Sequence, residues 1–321
     1  MNLKELHQLG VKLGMKADLR GEAKVKKLLA RKNKMYNDLP KSKQEKFDKT
    51  FLTNPYPDSL ILNDTGKALK KIFVGIDIDV GDLLLARDLG ADTVISHHPH
   101  GKGLLYLDSV MELQVDVLAH YGVPINIAQS LLKPRMSEVA RSVRSRNMHR
   151  VADAAKLLNL NFVCLHTVCD NLVARYLYDL VEKNKKKLEY VSDVLELFAA
   201  VPEYRIGEDE YGFKLQLFAG SKQNYCGRVA LTEITGGTEG SEKIYQYCAM
   251  AGIGTIVGMH MSEKHRDAAQ AANVNSIIAE HMPSDSVGVN LFLDEVKKAD
   301  KKLEIIPASG LIYYSRLKNK K

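Results

Sequence analysis

From about residue 70 onward, short apolar runs alternate with amphipathic stretches, and no other feature so narrows what this chain can fold into. Lys71 to Ile78 reads as a buried strand and Gly81 to Leu89 as the helix that follows it. Thr93 to Ser96 is the next strand, Asp108 to Tyr121 the next helix, and Pro124 to Ala128 a further strand. Ser137 to Leu158 reads as one long helix, Asn161 to Leu165 as a strand, and Asp170 to Glu182 as a helix. After a less regular, charged stretch from Lys185 to Lys222 the habit resumes. Strands are predicted at Arg228 to Ile234, Thr255 to Val257 and Ser276 to Ala279, and helices at Ser241 to Met250, Glu263 to Ala272 and Val287 to Lys298. Repeated strand-helix units specify a mainly parallel sheet. The expected fold class is therefore α/β, arranged as two lobes with mainly parallel sheets.

The expected divisions follow from composition. Residues 1–65 read as a basic, largely helical N-terminal extension, broken at Asn54-Pro55-Tyr56-Pro57, where two prolines in three residues mark a boundary. Residues 66–185 form the first lobe, and residues 186–321 the second lobe with a basic tail. The formal charge of +7 is concentrated at the ends: residues 1–50 contribute +8 and residues 296–321 contribute +6, which leaves the body between them at about −7. A nucleic-acid binder more often carries its basic patch on the folded body among aromatics. Nucleic acid is accordingly not expected as a partner, although Lys24 to Lys34 and the Lys318 to Lys321 tail are the segments that would make such a contact. Met1-Asn2-Leu3-Lys4-Glu5-Leu6 shows no basic-then-apolar leader, and no apolar stretch approaches the ~18 residues that span a bilayer. A cytoplasmic protein with no membrane partner is expected. The four cysteines, Cys164, Cys169, Cys226 and Cys248, have neither redox nor zinc-ribbon spacing and read as buried free thiols.

Four segments place possible ligands where strands should end. They are Ser96-His97-His98-Pro99, Leu165-His166-Thr167-Val168-Cys169-Asp170, Gly258-Met259-His260-Met261-Ser262-Glu263 and Glu280-His281-Met282-Pro283-Ser284-Asp285. In open α/β sheets, sites form beyond the carboxyl ends of strands, so these segments can converge. Imidazole nitrogen suits zinc, iron, nickel and copper, and a carboxylate can bridge two cations. Three histidines with two aspartates are enough for a dinuclear centre that lowers the pKa of water to ~7, which is hydrolytic chemistry.

The chain resembles the NIF-three-like proteins, also called type 2 GTP cyclohydrolase I homologues. Ile95 to Pro99 is similar to that family's strand running into His-His-Pro, and His166-Thr167-Val168-Cys169-Asp170 to its His-Thr-x-x-Asp segment. Thr235-Gly236-Gly237 is similar to its glycine-rich turn, and the resemblance covers roughly residues 70 to 300. It implies two divalent metal ions (zinc, iron, manganese or nickel) between the lobes, held by His97, His98 and Asp170 with His281 and Asp285 completing the set. Asp285 stands where the family usually has glutamate, and Glu280 precedes His281 where glycine is usual. The spacing leaves no room for the small domain that larger members insert between the second and third motifs. The resemblance also implies a ring-shaped homo-oligomer.

His166 is expected to support a ligand rather than to be one, while His100, His260 and Glu263 are placed equally near the site or on ordinary surface. Asp170 could also cap the helix that follows it. The expected function is a metal-dependent, cyclohydrolase-like hydrolase acting through metal-bound hydroxide on a small nucleotide-like or phosphorylated substrate. The family's name does not establish GTP as that substrate, and no purine-reading pocket is visible in the sequence. The alternative is a non-catalytic metal-binding regulatory or interaction protein whose basic ends engage partners.

Overall fold

A computed structural model describes residues 1–235 and 239–317. The expected turn at Gly236-Gly237 and the Lys318 to Lys321 tail lie outside the described residues. Nine strands occur among the described residues: β1 (Ile61–Asn63), β2 (Lys71–Gly75), β3 (Thr93–Ser96), β4 (Asn161–Cys164), β5 (Gln216–Ala219), β6 (Arg228–Glu233), β7 (Ile253–Gly258), β8 (Asn275–Ile278) and β9 (Glu304–Pro307). They form two sheets, ordered β1-β4-β3-β2-β9 and β5-β8-β7-β6. Within each sheet every pairing is parallel except that of the β1 or β5 edge strand. The fold is α/β with two mainly parallel sheets, as the alternating pattern specifies. All residues of β3 and β4 are buried, which is why these strands read as continuous apolar runs rather than as an in-out alternation.

Three local readings are corrected. Pro124 to Ala128 is not a strand but the start of the helix Ile125–Arg144: Pro124 sits at its N-cap, and Ala128, Leu132 and Val139 face inward at helical spacing while Ile125 is exposed. The expected helix from Ser137 to Leu158 is two helices, Ile125–Arg144 and Arg150–Leu157. The expected helix from Asp108 to Tyr121 breaks at Met111 into Leu107–Val110 and Glu112–His120.

The two ends of the chain also lie differently from the expected divisions at 65 and 185. The helix Leu3–Ala17 is fastened by a capping box between Asn2 and Glu5, and it buries Leu3 and Leu6 in the same core as Ile72, Val74, Leu165 and Phe292. Strand β9 returns from the far end of the sequence to pair with β2, so the first sheet is closed by a strand that follows all of the second one. The helix carries an apolar stripe that packs on the first sheet's core, where burial outweighs its basic composition, and β9 adds an edge to that sheet.

The helices His166–Asn184 and His281–Ala299 lie side by side between the sheets. They approach closely at Gly288, where an added Cβ would collide with the backbone carbonyl of Cys169. Gly288→Ala is therefore expected to destabilise the protein by about 3 kcal/mol, since neither backbone can yield without moving a buried helix. A urea melt measures this, and an unchanged midpoint would contradict the close crossing.

Candidate metal centre

Register brings the site together. Gly75, Ser96 and Cys164 are level across β2, β3 and β4, so Asp77, His97, His98 and His166 all leave the first sheet at one edge. In the second sheet Glu233, Gly258 and Ile278 are level, so His260 and His281 leave its matching edge. Between the two edges is a cleft of about 230 Å³, walled in part by Pro99, Leu104, Leu107 and Met259.

Each of the two site helices begins on a histidine and carries an aspartate one turn later, as His166 with Asp170 and His281 with Asp285. A separation of four residues places both side chains on one helix face. Neither helix start matches the sequence reading. Asp170 is inside its helix rather than at its cap, and the second helix opens at His281 rather than Val287. The apolar residues following each aspartate carry the visible periodicity, so the polar first turn was not legible as helix.

All five expected ligands converge. Asp285 is buried between two groups: its Oδ1 lies 3.4 Å from His97 Nε2, and its Oδ2 lies 3.3 Å from both His98 Nε2 and His281 Nε2. Asp170 Oδ1 lies 3.3 Å from His97 Nε2. His166, expected only as a supporting residue, is within the cluster, with Nε2 3.6 Å from Asp170 Oδ2. Three overlapping groups, His97-His98-His166, His97-Asp170-Asp285 and His98-His281-Asp285, each bring their ligand atoms within 4.8 Å of one another.

Two features fit these groups to a metal. First, both nitrogens of His97 and both oxygens of Asp285 are buried without a hydrogen-bond partner among the described residues. Buried polar atoms are seldom left so, because each costs roughly 1–3 kcal/mol. Second, separations of 3.3 and 3.4 Å exceed the 2.7–2.9 Å of charge-assisted hydrogen bonds. They match the spacing of about 3.4 Å between ligands that stand ~2.0–2.1 Å from a tetrahedral ion.

Electrostatics agree. Burial lowers the affinity of His97 for a proton, but the Asp285 charge and the nearby Asp170 more than reverse this and hold its pKa well above 6.5. Burial acts likewise on His98, and contacts with Asp285 and Asp77 overcome it, raising the pKa to about 9. Asp285 is held well below the ordinary carboxylate value, since the surrounding imidazoles outweigh its burial. The cluster is built to carry positive charge around one shared carboxylate.

Sequence reading missed four acidic residues here. Asp77 accepts a hydrogen bond from His98 Nδ1 at 2.7 Å, and Asp58 accepts one from His166 Nδ1 at 2.7 Å. Glu233, Glu239 and His260 form a further group on the side of the second sheet, where burial and the Glu239 charge push Glu233 up to about 8. Asp77 had a signal, an acidic residue just past an apolar strand; Asp58 had none beyond following Pro57. The His260 ring lies 5.6 Å from that of His281, beside the cluster, whereas Glu263 is exposed and paired with Arg266. His100 turns away to pack on Phe162.

No protein-family model matches the chain, and no curated protein does. Among solved structures, a NIF3 superfamily protein from Sphaerobacter thermophilus aligns with a TM-score of 0.69 at 25% identity, over 79% of this chain and 92% of that one. The chain is NIF3-like. Reduced HcgD from Methanocaldococcus jannaschii aligns with a TM-score of 0.48 at 15% identity, over 77% of this chain and 85% of that one. TTHA1606 from Thermus thermophilus aligns with a TM-score of 0.45 at 13% identity, over 82% and 92%. Among the described residues of this NIF3-like chain, no helix is long and apolar enough to cross a membrane.

Glu280 stands at the turn from β8 into the second site helix. Its backbone adopts φ 62° and ψ 140°, a conformation that L side chains reach only with strain of ~1–3 kcal/mol. The turn swings the chain from β8 into the helix so that His281 points at Asp285. Glu280→Gly is expected to raise stability by about 1 kcal/mol despite losing the hydrogen bond that Gln216 donates to Glu280. Thermal melts of the two proteins check this; a fall in midpoint would show that the side-chain bond outweighs the strain.

Proposed function

We propose that the protein is a metal-dependent hydrolase with a dinuclear centre, in which His97, His166 and Asp170 hold one divalent ion, His98 and His281 hold the other, and Asp285 is shared. The carrying observation is Asp285 itself, a fully buried carboxylate whose two oxygens face two separate sets of imidazole nitrogens with no hydrogen-bond partner among the described residues. Divalent ions there would lower the pKa of water to ~7 and offset negative charge developing on a substrate oxygen.

The chain's own residues supply the rest. Asp77 and Asp58 hold the Nδ1 protons of His98 and His166, leaving each Nε2 lone pair directed into the cluster. Pro99, Leu104, Leu107 and Met259 exclude water from one wall of the cleft. Glu233, pushed up to about 8, can hold a proton at neutral pH beside Met259 in the same cleft. At about 230 Å³ the cleft is smaller than the ~300–1,000 Å³ of pockets that enclose drug-sized ligands, which supports a small substrate. Nucleotide-like or phosphorylated compounds remain the class to screen.

Metal per chain, measured by mass spectrometry on protein reloaded with zinc or manganese, tests the reading. About two ions in the wild type and far fewer in a His97→Ala, His98→Ala double variant are expected. Equal content in both would defeat it. Two ions without turnover across nucleotides and phosphoesters would shift the reading to a non-catalytic metal-binding protein.

A further inference from the structure

We propose that Asp58, in the segment before the first sheet, is a positioning residue of the metal centre that acts through His166. The inference rests on the dinuclear reading above, and it adds a residue from outside the stretch that resembles the family. Asp58 is fully buried, and its Oδ2 accepts hydrogen bonds from His166 Nδ1 and from Thr167 Oγ1, both at 2.7 Å. Its Oδ1 accepts from Ser59 Oγ at 3.3 Å. Among the described residues its only ion-pair partner is His166. A buried carboxylate with no Lys or Arg beside it is costly unless positive charge reaches it by another route.

The route is geometric. An ionised carboxylate only accepts, so His166 must place its proton on Nδ1, and Nε2 then presents a lone pair. That lone pair faces Asp170 Oδ2 at 3.6 Å, with the His97 ring centroid 5.1 Å away. In the neutral ring two acceptors thus face each other across a gap that only a positive charge, a metal ion or a second proton on Nε2, can fill. Asp58 fixes the tautomer and ring plane of one ligand and receives part of that charge through it.

The segment is itself held in place. Asn54 donates to the Ser59 carbonyl at 2.8 Å, and His7 of the Leu3–Ala17 helix bonds to the same carbonyl at 2.8 Å. The backbone carbonyl of Asp58 lies so close to Gly103 that an added Cβ there would come within 2.9 Å of it. The backbone around Asp58 is thereby fixed, which holds its carboxylate against His166.

Zinc affinity of the full-length chain, measured by chelator competition, tests the proposal together with the imidazole NH signals of the metal-free protein. Asp58→Ala should weaken one equivalent of zinc by about 10–100-fold and leave the other within a few-fold. Asp58→Asn keeps an acceptor oxygen and should recover most of that loss. In a His166→Ala background Asp58→Ala should add nothing, because the effect passes through the ring. The wild type should show a protected His166 Nδ1–H that Asp58→Ala lacks, and thermal melts confirm that each variant is folded. Unchanged zinc affinity in a folded Asp58→Ala chain, additive losses in the double variant, or no protected Nδ1–H in the wild type would each overturn the role of Asp58. A wild type that binds no zinc while showing that Nδ1–H would instead overturn the dinuclear reading.

Discussion

Replacing Asp285 by alanine is expected to remove both metal ions together, where loss of any single histidine removes at most one. The reason is its position. One oxygen faces His97 and the other faces His98 and His281, so the same carboxylate belongs to both groups. A centre made of two independent sites would lose one ion and keep its partner. The variant should also lose about 3–5 kcal/mol of stability in the metal-free form, because His97 and His98 would be left without their buried counter-charge. Metal analysis and urea denaturation in the presence of a chelator measure the two effects. Retention of one full equivalent of metal would mean that Asp285 is not shared. Asp285→Glu has no reach to gain, since the aspartate already spans both groups.

A second large effect concerns protons. In the metal-free protein His98 has a pKa of about 9 against 6.5 for an unperturbed histidine, so it binds its proton more tightly folded than unfolded. Its contribution of about 3 kcal/mol is fully present below pH 6.5 and is lost as the pH rises through 9. Asp285 acts in the opposite sense: depressed below 3.8, it stabilises above that value and fails as the pH falls through its lower folded pKa. Metal-free protein should therefore weaken between about pH 6.5 and 9.5, and metal-loaded protein should not, because the ion replaces the proton on Nε2. The same competition makes zinc uptake at about pH 7 release protons, and makes affinity climb with pH until His98 is deprotonated. Calorimetric titration in two buffers of different ionisation enthalpy counts those protons. Uptake without proton release would contradict the charge state assigned to His98.

Much of this protein was fixed by local sequence. The buried strands at 71–75, 93–96 and 161–164 announce themselves as uninterrupted apolar runs because helices cover both faces of a parallel sheet. The His97-His98 pair is legible for a related reason: polar residues directly after such a run must sit at the sheet's carboxyl edge, where sites form. The pairing of a histidine with an aspartate four residues on, at 166–170 and again at 281–285, is likewise present in the chain order.

Tertiary structure decided what that order could not. Strands β1, β5 and β9 lie at sheet edges with mixed burial, so their sequences carry no strong period, and only pairing with a neighbour defines them. The Leu3–Ala17 helix looks like a charged appendage until its apolar stripe meets the first sheet's core. Asp58 has no local mark of function at all. It becomes part of the centre because 108 residues later the chain returns His166 to within 2.7 Å of it. Periodicity records which face of an element is buried, but it holds no record of which distant side chain will stand opposite, and the charge balance of a buried metal cluster depends on that second fact.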